Sequence, residues 1–196
     1  MKEKRMGYLQ LTEKISEIIS LEKEDHELLE TMFRPLKAKK KEILVEMGKT
    51  NRQAFFVNSG YLRYFTVLES GEEVIIHLYA PNTFAASLES FFSGMPAEGY
   101  IETITECDLW VISNSDLEKL YSTSQKWQYF GRKLMESFLI EKEQRIIDQL
   151  SLSGREKYMK LLQSHPEIIQ HVQVQYLASF LGLKPESLSR IRKQII

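Results

Sequence analysis

Val174-Gln175-Tyr176-Leu177-Ala178-Ser179-Phe180-Leu181-Gly182-Leu183-Lys184-Pro185-Glu186-Ser187-Leu188-Ser189-Arg190-Ile191-Arg192-Lys193 reads as two short helices around a tight turn. Val174, Leu177, Ala178 and Leu181 fall on one helical face. Gly182 suits the left-handed conformation that closes a helix, and Pro185 suits a first helical position, where its missing N–H has no intrahelical partner. Leu188 and Ile191, three apart, give the second helix an apolar edge, while small Ala178 allows a close helix crossing. Glu186, Ser187, Ser189, Arg190, Arg192 and Lys193 remain for the outer face, all able to contact bases or phosphates. An ordinary helical hairpin would share some of these residues. The fixed offsets of Ala, Gly, Pro and two aliphatics, with a basic outer face, favour a helix-turn-helix.

Upstream, Arg155 to Ser164 predicts a helix that His165-Pro166 stops, with Ile168 and Ile169 starting a short strand. Ser153-Gly154 breaks a longer helix, predicted over 124–150 and about 40 Å long at 1.5 Å per residue. Phe130, Leu134 and Phe138 form one stripe along it, and Met135, Leu139, Ile146 and Leu150 an adjacent one. That surface is broad enough to meet both the body of its own chain and a second copy. A long helix before a helix-turn-helix naturally pairs two DNA readers, so Phe130, Leu134 and Phe138 are the expected dimer residues.

Residues 36–113 change to short strands at 36–40, 43–46, 54–58, 61–68, 73–79, 100–106 and 109–113, with turns at Asn58-Ser59-Gly60 and Glu69-Ser70-Gly71. Pro81 to Phe92 reads as a short helix interrupting them. Many short strands without intervening helices indicate an antiparallel barrel or jelly roll. Two helices are expected over 8–34, and a shorter one over Asp116–Tyr121. The fold class is therefore α+β, with a sensor-like domain over 1–123, a dimerisation helix over 124–152 and a helix-turn-helix domain over 153–196.

The chain has 196 residues, 43% hydrophobic and 27% charged, the balance of a soluble globular protein. Met1 to Gln10 is charged and lacks an apolar core, so no secretory signal is read there and a cytoplasmic location is expected. Cys107 is the sole cysteine, which excludes an intrachain disulfide and argues against thiolate metal sites. Net charge is −1, but it is unevenly spread. Residues 151–196 hold seven Lys/Arg against three Glu, +4, whereas 1–150 hold 19 against 24, −5. A basic tail on an acidic body suits a DNA-binding module on a regulatory one.

Barrel, long helix and small helix-turn-helix domain in that order resemble the Crp/Fnr family of bacterial transcription regulators. The residues that carry the resemblance are Phe56-Val57-Asn58-Ser59-Gly60 with Arg63, Gly71-Glu72-Glu73, Pro81-Asn82-Thr83-Phe84, Leu177-Ala178-Ser179, and Pro185 through Arg192. The resemblance implies a homodimer whose recognition helices enter successive major grooves of a near-palindromic site, with RNA polymerase as a further partner. Glu186 can accept from a cytosine amino group and Arg190 can pair with guanine O6/N7, both at family base-reading positions. Pro185 stands where the cyclic-AMP regulators carry an arginine, so the target sequence should differ.

Cyclic-nucleotide domains hold the cyclic phosphate with a Phe-Gly-Glu-type segment and an Arg-Ser or Arg-Thr pair. Here Phe84 is present, Ala86 and Ser87 stand at the Gly and Glu positions, and the arginine falls near Ala97 with Glu98 beside it. An acidic side chain where a phosphate should sit is unfavourable, so tight cyclic AMP binding is not expected. No cofactor is predicted, although the pocket leaves room for a small-molecule effector. Iron–sulfur sensing needs more cysteines, and a lone His77 is a weak haem ligand candidate. The competing readings are a signalling module acting through protein contacts and a cupin-like enzyme. The second needs clustered metal ligands, whereas His26, His77, His165 and His171 are scattered.

Overall fold

The computed structural model describes residues 2–195. Two helices, α1 (Lys2–Ser16) and α2 (Lys23–Met32), come first. The Asp25 carboxylate accepts from the Glu22 N–H at 2.8 Å, satisfying one free donor at the start of α2. Strands β1 (Arg34–Ala38), β2 (Ile43–Val45), β3 (Gln53–Ser59), β4 (Leu62–Val67) and β5 (Glu73–Tyr79) follow. Then come β6 (Thr83–Ala85), helix α3 (Leu88–Ser93), β7 (Tyr100–Thr103) and β8 (Cys107–Ser113). They make two antiparallel sheets, in the orders β1-β8-β3-β6 and β2-β7-β4-β5. Pro35, which lacks a donor, sits in β1 at the end of its sheet, where such a residue is tolerated. The α+β barrel architecture expected from the sequence is what forms.

Phe55, Val57, Leu62, Ala85, Ile101 and Leu109 fill the space between the sheets. Phe56, on the opposite face of β3, enters a second cluster with Leu11, Ile15, Leu29, Trp110 and Trp127. Both faces of β3 are therefore buried, which is why its aromatics do not alternate with polar residues. Helix α4 (Asn114–Thr123) and the 27-residue α5 (Gln125–Ser151) lead to α6 (Gly154–Ser164), α7 (Pro166–His171), α8 (Val174–Leu181) and α9 (Pro185–Lys193). A third cluster joins Tyr61, Phe65, Ile75 and Leu78 of the barrel to Leu161, Ile168, Leu177 and Leu188 of these last helices. No helix among the described residues is long and apolar enough to cross a membrane.

Two local expectations change. Pro81 to Phe92 is not one helix: Asn82 takes a left-handed φ of 65° and donates to the Val57 carbonyl at 2.8 Å, turning Thr83–Ala85 back along β3. Helix α3 starts only afterwards. Ile168 and Ile169 lie in α7, not a strand, because Pro166 opens that helix as its first residue and both side chains turn into the core.

Gly60, between β3 and β4, has φ 92°, and a methyl group there would collide with the Glu106 carbonyl and the Cys107 sulfur. Gly60→Ala is expected to cost roughly 1–3 kcal/mol through backbone strain, read as a lower urea midpoint at unchanged slope.

Candidate functional site

Helix α8 ends as its sequence dictates. Gly182 adopts φ 67°, its N–H reaching the Ser179 carbonyl at 3.1 Å and the Leu183 N–H the Ala178 carbonyl at 2.8 Å. This paired closure satisfies two otherwise free carbonyls and sets the angle into α9, which Pro185 begins. Ala178, Leu177 and Leu188 are fully buried where the helices cross. Helix α6 supports the turn: Ser153 and Glu156 form a capping box at its start, and Gly154 lies against Leu183 with no room for a Cβ.

On α9, Glu186, Ser189, Arg190 and Lys193 are exposed, and Ser187 and Arg192 are half-buried. Among the described residues, none of these six side chains is engaged in an ion pair or hydrogen bond. The structure thus gathers the six sequence-predicted residues on one nine-residue helix, with donors and acceptors open to an external partner.

The residues expected around a ligand flank α3 in the chain, Phe84, Ala86 and Ser87 before it and Ala97 and Glu98 after it, and Phe84 and Ala86 share a cavity lining that does not include Ala97 or Glu98. Ala86 accepts weakly from the Tyr79 hydroxyl at 3.4 Å, and burial pushes the Tyr79 pKa well above the usual phenol range. Ser87 precedes α3 and is buried, Ala97 is buried, and Glu98 is exposed. Phe84 stacks obliquely on Phe56, 5.1 Å between centroids. Residues 83–99 contain no Lys or Arg and carry Glu89 and Glu98. Arg63 is buried between Glu73 and Glu102, and Arg52 donates to Asn114 while its guanidinium lies against Gly94 at the end of α3.

A cavity of about 250 Å³ opens where barrel, α5 and the C-terminal helices meet, lined by His77, Phe84, Ala86, Phe138, Glu141 and Phe180 among others. Burial, with the charges of Arg145 and Lys142 nearby, lowers the His77 pKa to about 3, although the Glu141 carboxylate is 3.6 Å away. His77 is thus a neutral packed imidazole against Tyr79, 4.5 Å between ring centroids.

Along α5, Phe130 is only 5% exposed and packs on its own barrel, and Leu134 and Phe138 are half-buried beside it. The aliphatic side chains that α5 leaves uncovered are Leu139 (69% exposed), Ile140, Ile146, Ile147 and Leu150 (85%). Leu139 and Ile146, like Ile140 and Ile147, are seven residues apart, the spacing of a helix–helix seam. That recurrence was visible in the sequence beside the four-residue spacing of Phe130, Leu134 and Phe138, of which Phe130 is buried against its own barrel.

Residues 35–124 match the family model of the cyclic nucleotide-binding domain. Comparison with curated protein sequences finds no match. Among solved structures, the chain is similar to FixK2 from Bradyrhizobium japonicum, at 17% identity and TM-score 0.72, over 83% of this chain and 84% of that one. It is similar to the c-di-GMP-responsive global regulator CLP of Xanthomonas campestris, at 19% identity and TM-score 0.64, over 86% and 89%. A Crp/Fnr-family transcriptional regulator from Eubacterium rectale aligns at 18% identity and TM-score 0.64, over 89% and 83%.

His77 gives a pH dependence. Its folded pKa, about 3, lies below the 6.5 of an unperturbed imidazole, so between those values the unfolded chain binds a proton that the folded chain does not. Its contribution to stability is constant above 6.5 and falls as pH drops toward 3, by up to about 1.4 kcal/mol per pH unit. Urea midpoints at pH 7 and pH 5 should fall further for the wild type than for His77→Gln.

Proposed function

We propose that this chain, a cyclic nucleotide-binding domain over 35–124 carried in the fold of the Crp/Fnr regulators, is a dimeric, sequence-specific DNA-binding regulator of transcription. The observation that carries the reading is the unengaged polar face of α9 on a closed helix-turn-helix, in the part of the chain with charge +4. In this reading residues 1–123 sense, 124–152 pair two copies and 153–196 read DNA, in the cytoplasm and without catalysis. The uncovered Leu139, Ile146 and Leu150 of α5 supply the dimer seam, since an apolar stripe so exposed needs a partner. Two copies of α9 then meet successive major grooves of a near-palindromic site, next to RNA polymerase.

Glu186 and Arg190 read bases, the first from cytosine N4 and the second to guanine O6/N7, while Ser187, Ser189, Arg192 and Lys193 hold phosphates. The effector is not cyclic AMP. The segment 83–99, which holds Ala86, Ser87 and Ala97, carries two glutamates and no Lys or Arg, so its own side chains offer no counter-charge to a cyclic phosphate. CLP, similar in fold, responds to c-di-GMP, so the fold accommodates other effectors.

Selection from a pool of random duplexes should yield a sequence bound in a salt-sensitive manner; recovery of no preferred sequence would favour a module acting through protein contacts. On the selected duplex, Arg190→Ala is expected to cost about 1–3 kcal/mol and relax preference at one base position. An equal loss on every sequence would make Arg190 a phosphate contact instead. Titration calorimetry with cyclic AMP should show no sub-micromolar binding.

A further inference from the structure

Strand β5 ends its sheet, so one side of its backbone lacks a strand partner. That side is occupied by the C-terminal helices. The Ser179 hydroxyl of α8 accepts from the Ile75 N–H at 3.0 Å and donates to the Glu73 carbonyl at 3.2 Å. Arg145 of α5 donates to the Ile75 carbonyl at 3.4 Å and the Phe180 carbonyl at 3.2 Å, and Gln149 donates to the same Phe180 carbonyl at 3.0 Å. Arg63, fixed by Glu73 and Glu102, lies 3.9 Å from the Phe65 ring centroid and 4.3 Å from that of Tyr176. Sheet edge, long helix and helix-turn-helix therefore meet at one polar joint.

Helix α8 faces both ways. Leu177, Ala178 and Leu181 are buried in one cluster with Leu188 of α9 and with Phe65 and Ile75 of the barrel, and Tyr176, Ser179 and Phe180 make the polar and cation–ring contacts to the barrel and α5. The joint leaves the polar face of α9 open. We infer that Ser179, with Tyr176, is a positioning residue for DNA recognition: the joint on the β5 edge fixes the angle between α9 and α5, and so the separation of the two reading helices in the dimer. The inference rests on the DNA-binding reading above. Half-sites one helical turn apart, about 34 Å, demand a fixed separation of the two readers. A firm joint lets the second reader engage with no further ordering cost. A loosened one tolerates other spacings and binds each more weakly.

The variants are Ser179→Ala, Ser179→Ala with Tyr176→Ala, and Ser179→Thr, which keeps the hydroxyl; circular dichroism establishes that each is folded. Hydrogen exchange at the Ile75 amide, measured without DNA, should quicken about three- to tenfold in Ser179→Ala and stay near wild type in Ser179→Thr. Binding is then compared on the selected duplex and on versions with the half-sites one base pair closer or farther apart. Wild type should discriminate among spacings, and the double variant should lose at least about threefold of that discrimination. Unchanged Ile75 exchange overturns the joint itself. Faster exchange with undiminished discrimination overturns its positioning role. A wild type that selects no duplex, with the Ile75 amide still protected through Ser179, sinks the DNA reading and the positioning role with it, but not the joint.

Discussion

A guanidinium buried in a protein must be paired, because an isolated charge in such surroundings is prohibitively costly. Arg63, 4% exposed, is the case on which this molecule turns. Its partners Glu102 and Glu73 come from the strands on either side of β4, so a single cation ties the middle of the second sheet together. Gly71 folds the β4–β5 turn at φ 82°, and Arg63 pairs with Glu73 across that hairpin. Once held, the flat cation has two faces. Phe65 covers one, and Tyr176 of α8 approaches the same group. The requirement that satisfies a buried charge thus reaches from the barrel to the helix-turn-helix.

The same economy governs the end of the sheet. An unpaired strand edge invites association with other chains unless it is covered. Here β5 is covered by a serine hydroxyl and a guanidinium rather than by another strand. These bonds are few, directional and independently breakable, unlike the apolar contacts of the barrel interior. The flanking cavity, lined by Phe180 and His77, brings residues of all three bodies into one space. Any occupant of that cavity would touch both sides of the joint.

Much of this was legible in the chain. Gly182 and Pro185 announced the α8–α9 turn because each suits a backbone state that few residues accept, and the structure uses both as expected. The barrel was legible from turn glycines and short strand spacing. The strand at Thr83–Ala85 was not, since three residues carry no period and the deciding event is the left-handed Asn82. The inward turn of Phe130 was hidden for a different reason. A 27-residue helix with apolar residues on several faces has no single stripe, and only contact with Trp127 and Phe84 tells which one the barrel takes. Around residues 83–99 the sequence supplied composition but not shape: the lack of Lys and Arg within the segment could be read directly, while the junction cavity, which Lys14 and Lys142 also line, depends on how α5 and α8 lie on β5.

Helix α8 ties the C-terminal helices to the barrel by two kinds of contact. Its apolar residues share one buried cluster with Phe65 and Ile75 of the barrel, and Ser179 and the Phe180 carbonyl bond the β5 edge and α5. The crossing of α8 and α9, where Ala178 and Leu188 are fully buried, is close-packed in turn, and any shift there would open voids. The joint itself is apolar as well as polar, since Tyr61, Phe65, Ile75 and Leu78 of the barrel are buried in one cluster with Leu161, Leu177 and Leu188. Its hydrogen bonds therefore add direction to contacts whose strength comes from packing, each bond being worth little net because water would replace it. Apolar burial alone would hold the C-terminal helices on the barrel, but it is non-directional, and the angle at which they sit is set by the Ser179 and Arg145 bonds to the β5 edge.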